Sequence, residues 1–346
     1  MNVLIVKLGA LGDIIHAIPA AAALRSALPD ARIDWVVDAK HRGILDLVSV
    51  LDRIVPIEGR TLRAWTEAVS RVRQTRYDVA LDLQGLMKSA VLARASGAAR
   101  VAGFSIWHLR EKSARPFYSE TGDSGAAPPD DEHVIYKNLR LLRVVGIDTR
   151  EVAFPIARVP SAAAAEAGAA YGAGGFALIN AGAAWPNKRW PPGRFGEVAA
   201  FLREIRGLPS LVLWGPGEQE LAWQVVEASS DAARVAPATT IGDLAELSRL
   251  AALVVSGDTG PLQIAAAVGT PAVAIFGPTN PGRNGPWSPD DVVVSRYPSC
   301  ACHYDRRCHN AAWCLESVTV AEVCAAIQQR LPAAPRPGVK TGANDD

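Results

Sequence analysis

A chain of 346 residues is long for one hydrophobic core, which stops growing near roughly 250–300 residues, so two domains are expected. With 49% apolar and 21% charged residues the composition is that of a soluble globular protein, and a net charge of +1 argues against a general nucleic-acid binder, which carries a strong basic excess. No run reaches the roughly 18 apolar residues of a membrane span, and the N-terminus lacks the basic region, apolar block and cleavage site of a signal peptide, so the expected compartment is the cytoplasm.

Residues 3–8 are an apolar run suited to a buried parallel strand, and Gly9-Ala-Leu-Gly-Asp13 then turns the chain. Apolar residues at helical spacing over 14–28 predict a helix stopped by Pro29-Asp30. Strands are expected at 33–37, 53–57, 78–83 and 100–104, with helices at 43–48, 62–75 and 86–95 between them. Residues 119–131, rich in Gly, Pro, Ser and Asp, read as a loop, and 133–145 as a helix. Residues 153–156 and the Ala-rich 161–170 bridge to a second unit. There strands are expected at 176–180, 210–214, 253–256 and 272–276, and helices at 192–205, 218–228, 241–251 and 260–268. A helix at 318–331 closes the fold. The alternation predicts an α/β protein of two Rossmann-like domains with parallel sheets facing a cleft, residues 1–158 and 159–331. The Pro/Gly-rich, charged 332–346 reads as a disordered tail.

Ligands of open α/β sheets bind outside the carboxyl ends of the strands, and three such ends in the second unit carry suggestive residues. In Asn180-Ala-Gly-Ala-Ala-Trp-Pro-Asn-Lys-Arg-Trp190, small residues such as Ala183 and Ala184 let backbone N–H groups approach a phosphate, with Lys188 or Arg189 to neutralise it. In Trp214-Gly-Pro-Gly-Glu218 the carboxylate can accept from a ribose. In Ser256-Gly-Asp-Thr-Gly-Pro-Leu-Gln263 a helix begins, and its free N–H groups and dipole suit an anion. Each has a plainer alternative: Asp258 as a helix cap, Glu218 as a dipole-stabilising residue, Lys188 as a solvated side chain. Their co-occurrence at three strand ends favours a binding site.

In the first unit, Lys7-Leu-Gly-Ala-Leu-Gly-Asp13 fits neither G-x-G-x-x-G nor a P-loop. Asp13 sits just inside a helix, where the dipole favours its ionised form; at the cleft mouth it can act as a base, or it is simply a first-turn residue. His16 lies one turn on. Arg60, Arg63, Arg71, Arg73, Arg76, Lys88, Arg110, Lys112 and Arg115 make this unit rich in basic side chains, suited to an anionic acceptor or to a solvated face. Cys300, Cys302, Cys308 and Cys314 follow C-x-C-x5-C-x5-C, with His303 and His309 as spare ligands. This is either a structural zinc or iron site or a set of unmetallated thiols.

Residues 1–20 (MNVLIVKLGALGDIIHAIPA), 82–90 (DLQGLMKSA), 185–191 (WPNKRWP) and 256–281 (SGDTGPLQIAAAVGTPAVAIFGPTNP) together resemble the lipopolysaccharide heptosyltransferases, glycosyltransferase family 9, and most of all heptosyltransferase I. The resemblance spans nearly the whole chain in the family's order. It implies a GT-B fold and an inverting transfer, without a catalytic metal, of heptose from ADP-heptose to the Kdo region of a lipopolysaccharide core, at the cytoplasmic face of the inner membrane. It implies Asp13 as general base, Lys188 on the donor phosphate, and Asp258, Thr259 and Gly260 around the donor; Gly12, Ala183, Ala184, Glu218 and Gln263 complete the expected donor-binding set. Arg60, Arg63 and Arg110 then face the acceptor, with Lys88 of the same basic group expected beside them. The chain departs from the family pattern at Gln263, where histidine is frequent, and its cysteine cluster resembles that of heptosyltransferase II and protein-heptosylating relatives. A second core heptose or a protein as acceptor, nucleotide-sugar 2-epimerisation, and nucleotide binding without catalysis are the competing readings.

Overall fold

The computed structural model describes residues 1–122, 131–308 and 312–331. The first half runs β1 (Asn2–Val6), α1 (Leu11–Ile15), α2 (Ile18–Ala27), β2 (Arg32–Asp38), α3 (Arg42–Leu45), β3 (Arg53–Ile57), α4 (Leu62–Val72), β4 (Val79–Asp82), α5 (Met87–Ala95), β5 (Arg100–Gly103), β6 (Glu120–Thr121) and α6 (Val134–Leu141). The second runs α7 (Ala162–Tyr171), β7 (Ala177–Asn180), α8 (Pro192–Arg206), β8 (Ser210–Leu213), α9 (Gln219–Glu227), β9 (Ala233–Val235), α10 (Ile241–Leu250), β10 (Leu253–Gly257), α11 (Gly260–Ala267), β11 (Ala272–Phe276), α12 (Pro281–Asn284), β12 (Val292–Ser295) and α13 (Val320–Arg330).

The strands form two six-stranded sheets, β3-β2-β1-β4-β5-β6 and β12-β11-β10-β7-β8-β9, and every strand pairing in them is parallel. Read from its own first strand, the second sheet repeats the order of the first. In both, the chain reverses direction across the sheet beside the first strand, at β1/β4 and at β7/β10. Those switch points leave a crevice outside the strands' carboxyl ends. The expected α/β architecture of two Rossmann-like sheets is therefore present.

The strands read as unbroken apolar runs because helices cover both faces: β1, β4, β7, β8, β10 and β11 are buried almost throughout. Pro56 lies in β3, an edge strand, where a missing N–H costs no ladder bond. One apolar cluster is continuous across the two halves, joining Ile14, Leu24 and Ile44 to Leu244, Leu262 and Ile264. A second, with Trp190, Phe195, Leu202, Val323 and Ile327, lies under α8 and α13. The chain passes between halves through residues 146–161, tied down by a bridge between Val48 and Ile156 and by the Ala157 N–H donating to Leu47.

Several local expectations are corrected. The helix expected over 14–28 is two helices, α1 and α2. Pro19 is tolerated only in a first turn, so the helix restarts at Ile18 instead of running through it. The helix expected over 133–145 ends at Leu141 and tightens into a 3₁₀ turn, Leu142–Val145, closed by left-handed Gly146. Glu218 is the N-cap of α9, not part of it. Strands β6, β9 and β12 were not foreseen, and β6 lies within the segment read as a loop. The first two are only two and three residues long, and β12 is half-buried throughout, so neither length nor alternation marks them. The remainder of that loop and the tail at 332–346 lie outside the described residues.

Candidate active site at the inter-domain crevice

The turn after β1 is held from behind. The N–H groups of Leu8 and Gly9 donate to Oε1 of Gln84, at 3.0 and 3.3 Å, and the Lys7 carbonyl accepts the Trp35 indole N–H. A Cβ on Gly9 would stand 2.9 Å from the His41 ring, so the turn packs there only because it has none. Asp13 follows in the first turn of α1 and accepts the Ala10 N–H at 3.1 Å. Burial alone would raise its pKa. The opposing pull of Lys7, His16, the Ala10 N–H and Arg283 wins, and the carboxyl lies below its ordinary range. Asp13 is thus an ionised carboxylate in a partly desolvated place.

Two of the cations that hold it so were not anticipated. Lys7 ends the apolar run of β1, is 5% exposed, and donates from Nζ to the Leu83 carbonyl at 2.8 Å. A lysine interrupting Ile5-Val-Lys-Leu8 was the available signal. Arg283, on α12 of the other half, acts on Asp13, Lys7 and His16 together. Its signal is weaker, a basic residue two positions past the 256–281 motif.

Helix α1 rests directly on α11. A Cβ on Gly260 would fall 2.6 Å from Leu11 Cδ2, and one on Gly12 would fall 3.3 Å from Gln263 Cγ. Gly12 is therefore brought beside Gln263, and the helix that carries Asp13 lies against Gly260. The amide of Gln263, however, is engaged within the protein. Its oxygen meets His16 Nε2 at 2.9 Å and its nitrogen donates to the Asn284 carbonyl at 2.8 Å.

The N-cap of α11 is Thr259, and no side chain caps the helix. The Thr259 hydroxyl is instead shared with Asn180 Nδ2 and the Ser256 hydroxyl, both at 3.0 Å. The first turn of α11 thus presents N–H groups to the crevice. Asp258 is not a cap: Oδ2 receives Lys188 Nζ at 2.5 Å and the Thr279 hydroxyl at 2.7 Å, while Lys188 lies 4.5 Å from the centre of the Trp185 ring. Lys188 and Asp258 stand together as a largely buried pair at the mouth of this helix. Glu218 lies against the loop after β7, where a Cβ on Gly182 would collide with its carboxylate. It accepts the Gly215 N–H at 3.2 Å and approaches Arg189 at 3.9 Å. Ala183 is buried and its carbonyl accepts from Arg189, while Ala184 is exposed.

Of the acceptor-side candidates, Arg60 lies in the turn after β3, Arg63 begins α4, Lys88 begins α5 after β4, and Arg110 lies in the loop after β5. All four are exposed, beyond the carboxyl ends of three strands; Arg63 pairs with Glu67 at 2.7 Å.

The cysteines come together pairwise. Cys302 Sγ is 3.4 Å from Cys308 Sγ, and Cys314 hydrogen-bonds to Cys300, with burial first and then this neighbour pushing its pKa up to about 12. None is in a disulfide, and among the described residues no three His, Cys, Asp or Glu side chains form a group able to hold a metal. His303 stacks on Tyr297 and bonds its carbonyl, and His309 lies outside the described residues. The segment is joined to the crevice: Asn187 donates to the Asp305 carbonyl at 2.9 Å, and the Tyr304 N–H to that of Pro278 at 2.8 Å.

Residues 65–314 match the model of glycosyltransferase family 9 (heptosyltransferase). Lipopolysaccharide heptosyltransferase 1 of Pseudomonas aeruginosa is 30% identical over 326 residues, covering 87% of this chain and 86% of that one. The solved structure of E. coli heptosyltransferase WaaC with ADP superposes with a TM-score of 0.72 at 24% identity, covering 95% and 97% of the two chains. A family 9 glycosyl transferase from Veillonella parvula superposes at 0.78 and 22%, covering 94% and 96%. These likenesses establish a GT-B arrangement for the two sheets. With a family match over well over half its length, the chain belongs to glycosyltransferase family 9, the heptosyltransferases, and is a glycosyltransferase.

Proposed function

We propose that the enzyme transfers heptose, with inversion, from ADP-heptose to the Kdo region of a lipopolysaccharide inner core, with Asp13 as general base. The observation that carries this reading is the seat of α1 on α11. It brings the helix that carries the ionised Asp13 of one half against α11 of the other, whose N-cap Thr259 follows Asp258, the partner of Lys188. A base and an anion site on facing walls are the two parts that displacement of a diphosphate by a hydroxyl requires.

In this reading the acceptor hydroxyl oxygen attacks the anomeric carbon as the bond from that carbon to the diphosphate oxygen breaks. Asp13 takes the hydroxyl proton. The charge gathering on the departing ADP is met by Lys188 and by the N–H groups opening α11. Ala183, Ala184 and Glu218 line the donor side, and Arg60, Arg63, Lys88 and Arg110 meet the anionic acceptor. Asp258 serves chiefly to hold Lys188, since a second negative charge on the diphosphate itself would repel. The names of the relatives, among them heptosyltransferase 1 of several bacteria and a WaaC structure holding ADP-2-deoxy-2-fluoro heptose, support the choice of donor and acceptor class.

The test is Asp13→Ala assayed with ADP-heptose and a truncated Kdo-lipid A, with product identified by mass spectrometry and ADP binding measured by calorimetry. Loss of transfer with ADP binding intact is expected, and full activity in a folded variant would remove Asp13 as the base. Turnover of donor without acceptor would favour 2-epimerisation.

Contact with a membrane surface belongs to the same proposal. Among the described residues no helix is long and apolar enough to cross a bilayer. Leu62, the first residue of α4 beside Arg60 and Arg63, and Trp107, in the loop that carries Arg110, are 81% and 61% exposed. Cosedimentation with anionic vesicles, lost in Leu62→Ser/Trp107→Ser, is the expected result. A structural zinc or iron at Cys300, Cys302, Cys308 and Cys314 is likewise proposed from the sequence pattern. Elemental analysis of the purified protein decides it, and no step of the transfer is routed through it.

A further inference from the structure

We propose that Gln263 and His16 form a positioning couple that seats the Asp13 helix on α11, so that Gln263 serves the transfer step and not the grip on the diphosphate. The inference rests on the assignment of Asp13 as base.

The orientation of the couple follows from the groups around it. The Asn284 carbonyl can only accept, so the amide nitrogen of Gln263 faces it and the amide oxygen faces His16. That oxygen can only accept, so His16 carries its proton on Nε2. Burial holds the ring neutral, its pKa lowered to about 4. Both side chains are 3% exposed. With the oxygen and one N–H satisfied in a buried place, Gln263 has no charge and little hydrogen-bonding capacity to offer a phosphate. Its Cγ supports Gly12, the residue before Asp13.

The couple does not stand alone. Asn138 Nδ2 donates to the His16 carbonyl at 2.9 Å, and the His16 ring meets that of His133 edge-on, with centroids 5.1 Å apart. His133 Nε2 donates to the Gly285 carbonyl at 3.1 Å and its ring meets that of Trp287. Side chains from α1 and α6 thus cross to α11 and to residues 284–287 of the other half. Cutting the central bond lets α1 shift on α11, and a displacement near 1 Å between base and reacting carbon costs on the order of 100-fold in rate. His16 Nδ1, by contrast, has no hydrogen-bond partner among the described residues, so the couple works through Nε2 alone.

This asymmetry supplies the test. His16→Gln places an amide nitrogen where Nε2 was, and His16→Asn places one where Nδ1 was. Gln263→Met removes both bonds of the amide at similar volume. The full-length variants are assayed with ADP-heptose for kcat and KM, and with ADP by calorimetry. For Gln263→Met and His16→Asn, kcat is expected to fall about 10–100-fold, with donor KM and ADP affinity changed less than about 2-fold. His16→Gln is expected to keep kcat within about 3-fold, and the double variant His16→Asn/Gln263→Met to be no worse than the poorer single one, as for residues acting as a unit. A tenfold loss of ADP affinity in Gln263→Met with kcat unchanged would make Gln263 a diphosphate ligand and overturn the proposal. Equal damage from His16→Gln and His16→Asn would overturn it too, since the ring itself would then be needed. Failure of the underlying reading shows differently, as a wild-type enzyme inert with ADP-heptose or an Asp13→Ala variant at full rate.

Discussion

A charge at the end of a buried strand is costly, and in this enzyme the cost has a use. The ammonium of Lys7 is satisfied by the Leu83 carbonyl. Burial lowers its pKa, while Asp13 and Asp82 pull the other way. Its return effect on Asp13 heads the influences that keep that carboxylate ionised against its own burial. In its proposed role as base Asp13 acts only when ionised, so activity is expected to be lost as pH falls through its folded pKa. Removing the cation raises that pKa and moves the loss to higher pH. In Lys7→Met the acid limb of the pH profile of kcat/KM is therefore expected to shift upward, with ADP affinity little changed. A profile superimposable on the wild type would show that the other cations suffice. At this scale the sequence announced the acids and bases that carry motifs, Asp13 and Lys188, but not the ones that tune them. Lys7 and Arg283 act through space, from just past the end of a buried strand and from the opposite half, and no local spacing encodes that.

At the scale of elements, the legible signals were those whose side chains repeat. The strands β1, β4, β7, β8, β10 and β11 are buried on both faces and read as apolar runs. By contrast β6, β9 and β12 owe their existence to a neighbouring strand's free edge, which one segment's residues do not reveal. The α1–α2 break was legible in principle, since Pro19 forbids a continuous helix, but the apolar spacing ran on through it. The break sets His16 at the end of α1, where it meets Gln263 and His133. Both histidines are held neutral by burial, each pKa lowered from 6.5 to about 4. Their surroundings are mixed: for His16, Asp13 and Gln263 favour protonation while Lys7 and Arg283 oppose it; for His133, the Gly285 carbonyl favours it while His16 and Arg283 oppose it. The sign follows from linkage. Below pH 6.5 the unfolded chain binds protons that the folded one refuses, so stability falls as pH drops from 6.5 toward 4. For His16 the full effect is on the order of 3 kcal/mol. Thermal midpoints between pH 7 and pH 4.5 are expected to fall, and to fall less steeply in His133→Gln. A midpoint independent of pH over that range would contradict the buried, neutral histidines.

At the scale of the molecule, two sheets of the same strand order meet at their switch points, and function follows from which turns meet there. The fold class was readable from alternation, and the family from motifs that lie at those turns. What the sequence could not show is that the halves touch through Leu11 on Gly260 and Gly12 on Gln263, because the pairs are some 250 positions apart and consist mostly of residues without functional groups. Contact at this seam fixes the distance from Asp13 to whatever α11 holds. It can be wedged open without removing any proposed catalytic group. Gly260→Ala sets a Cβ 2.6 Å from Leu11 Cδ2, below any ordinary contact. The leucine tip must move or the halves must part. The expected outcome is a lower kcat, together with a small rise in the radius of gyration by solution scattering. Trimming the other side supplies the control: in Leu11→Ala/Gly260→Ala the offending methyl is gone, and kcat is expected to recover toward that of Leu11→Ala alone. Recovery in the double variant attributes the loss to the seam. An equal loss in single and double variants would mean instead that the α11 backbone at Gly260 must itself approach the donor too closely to tolerate a Cβ.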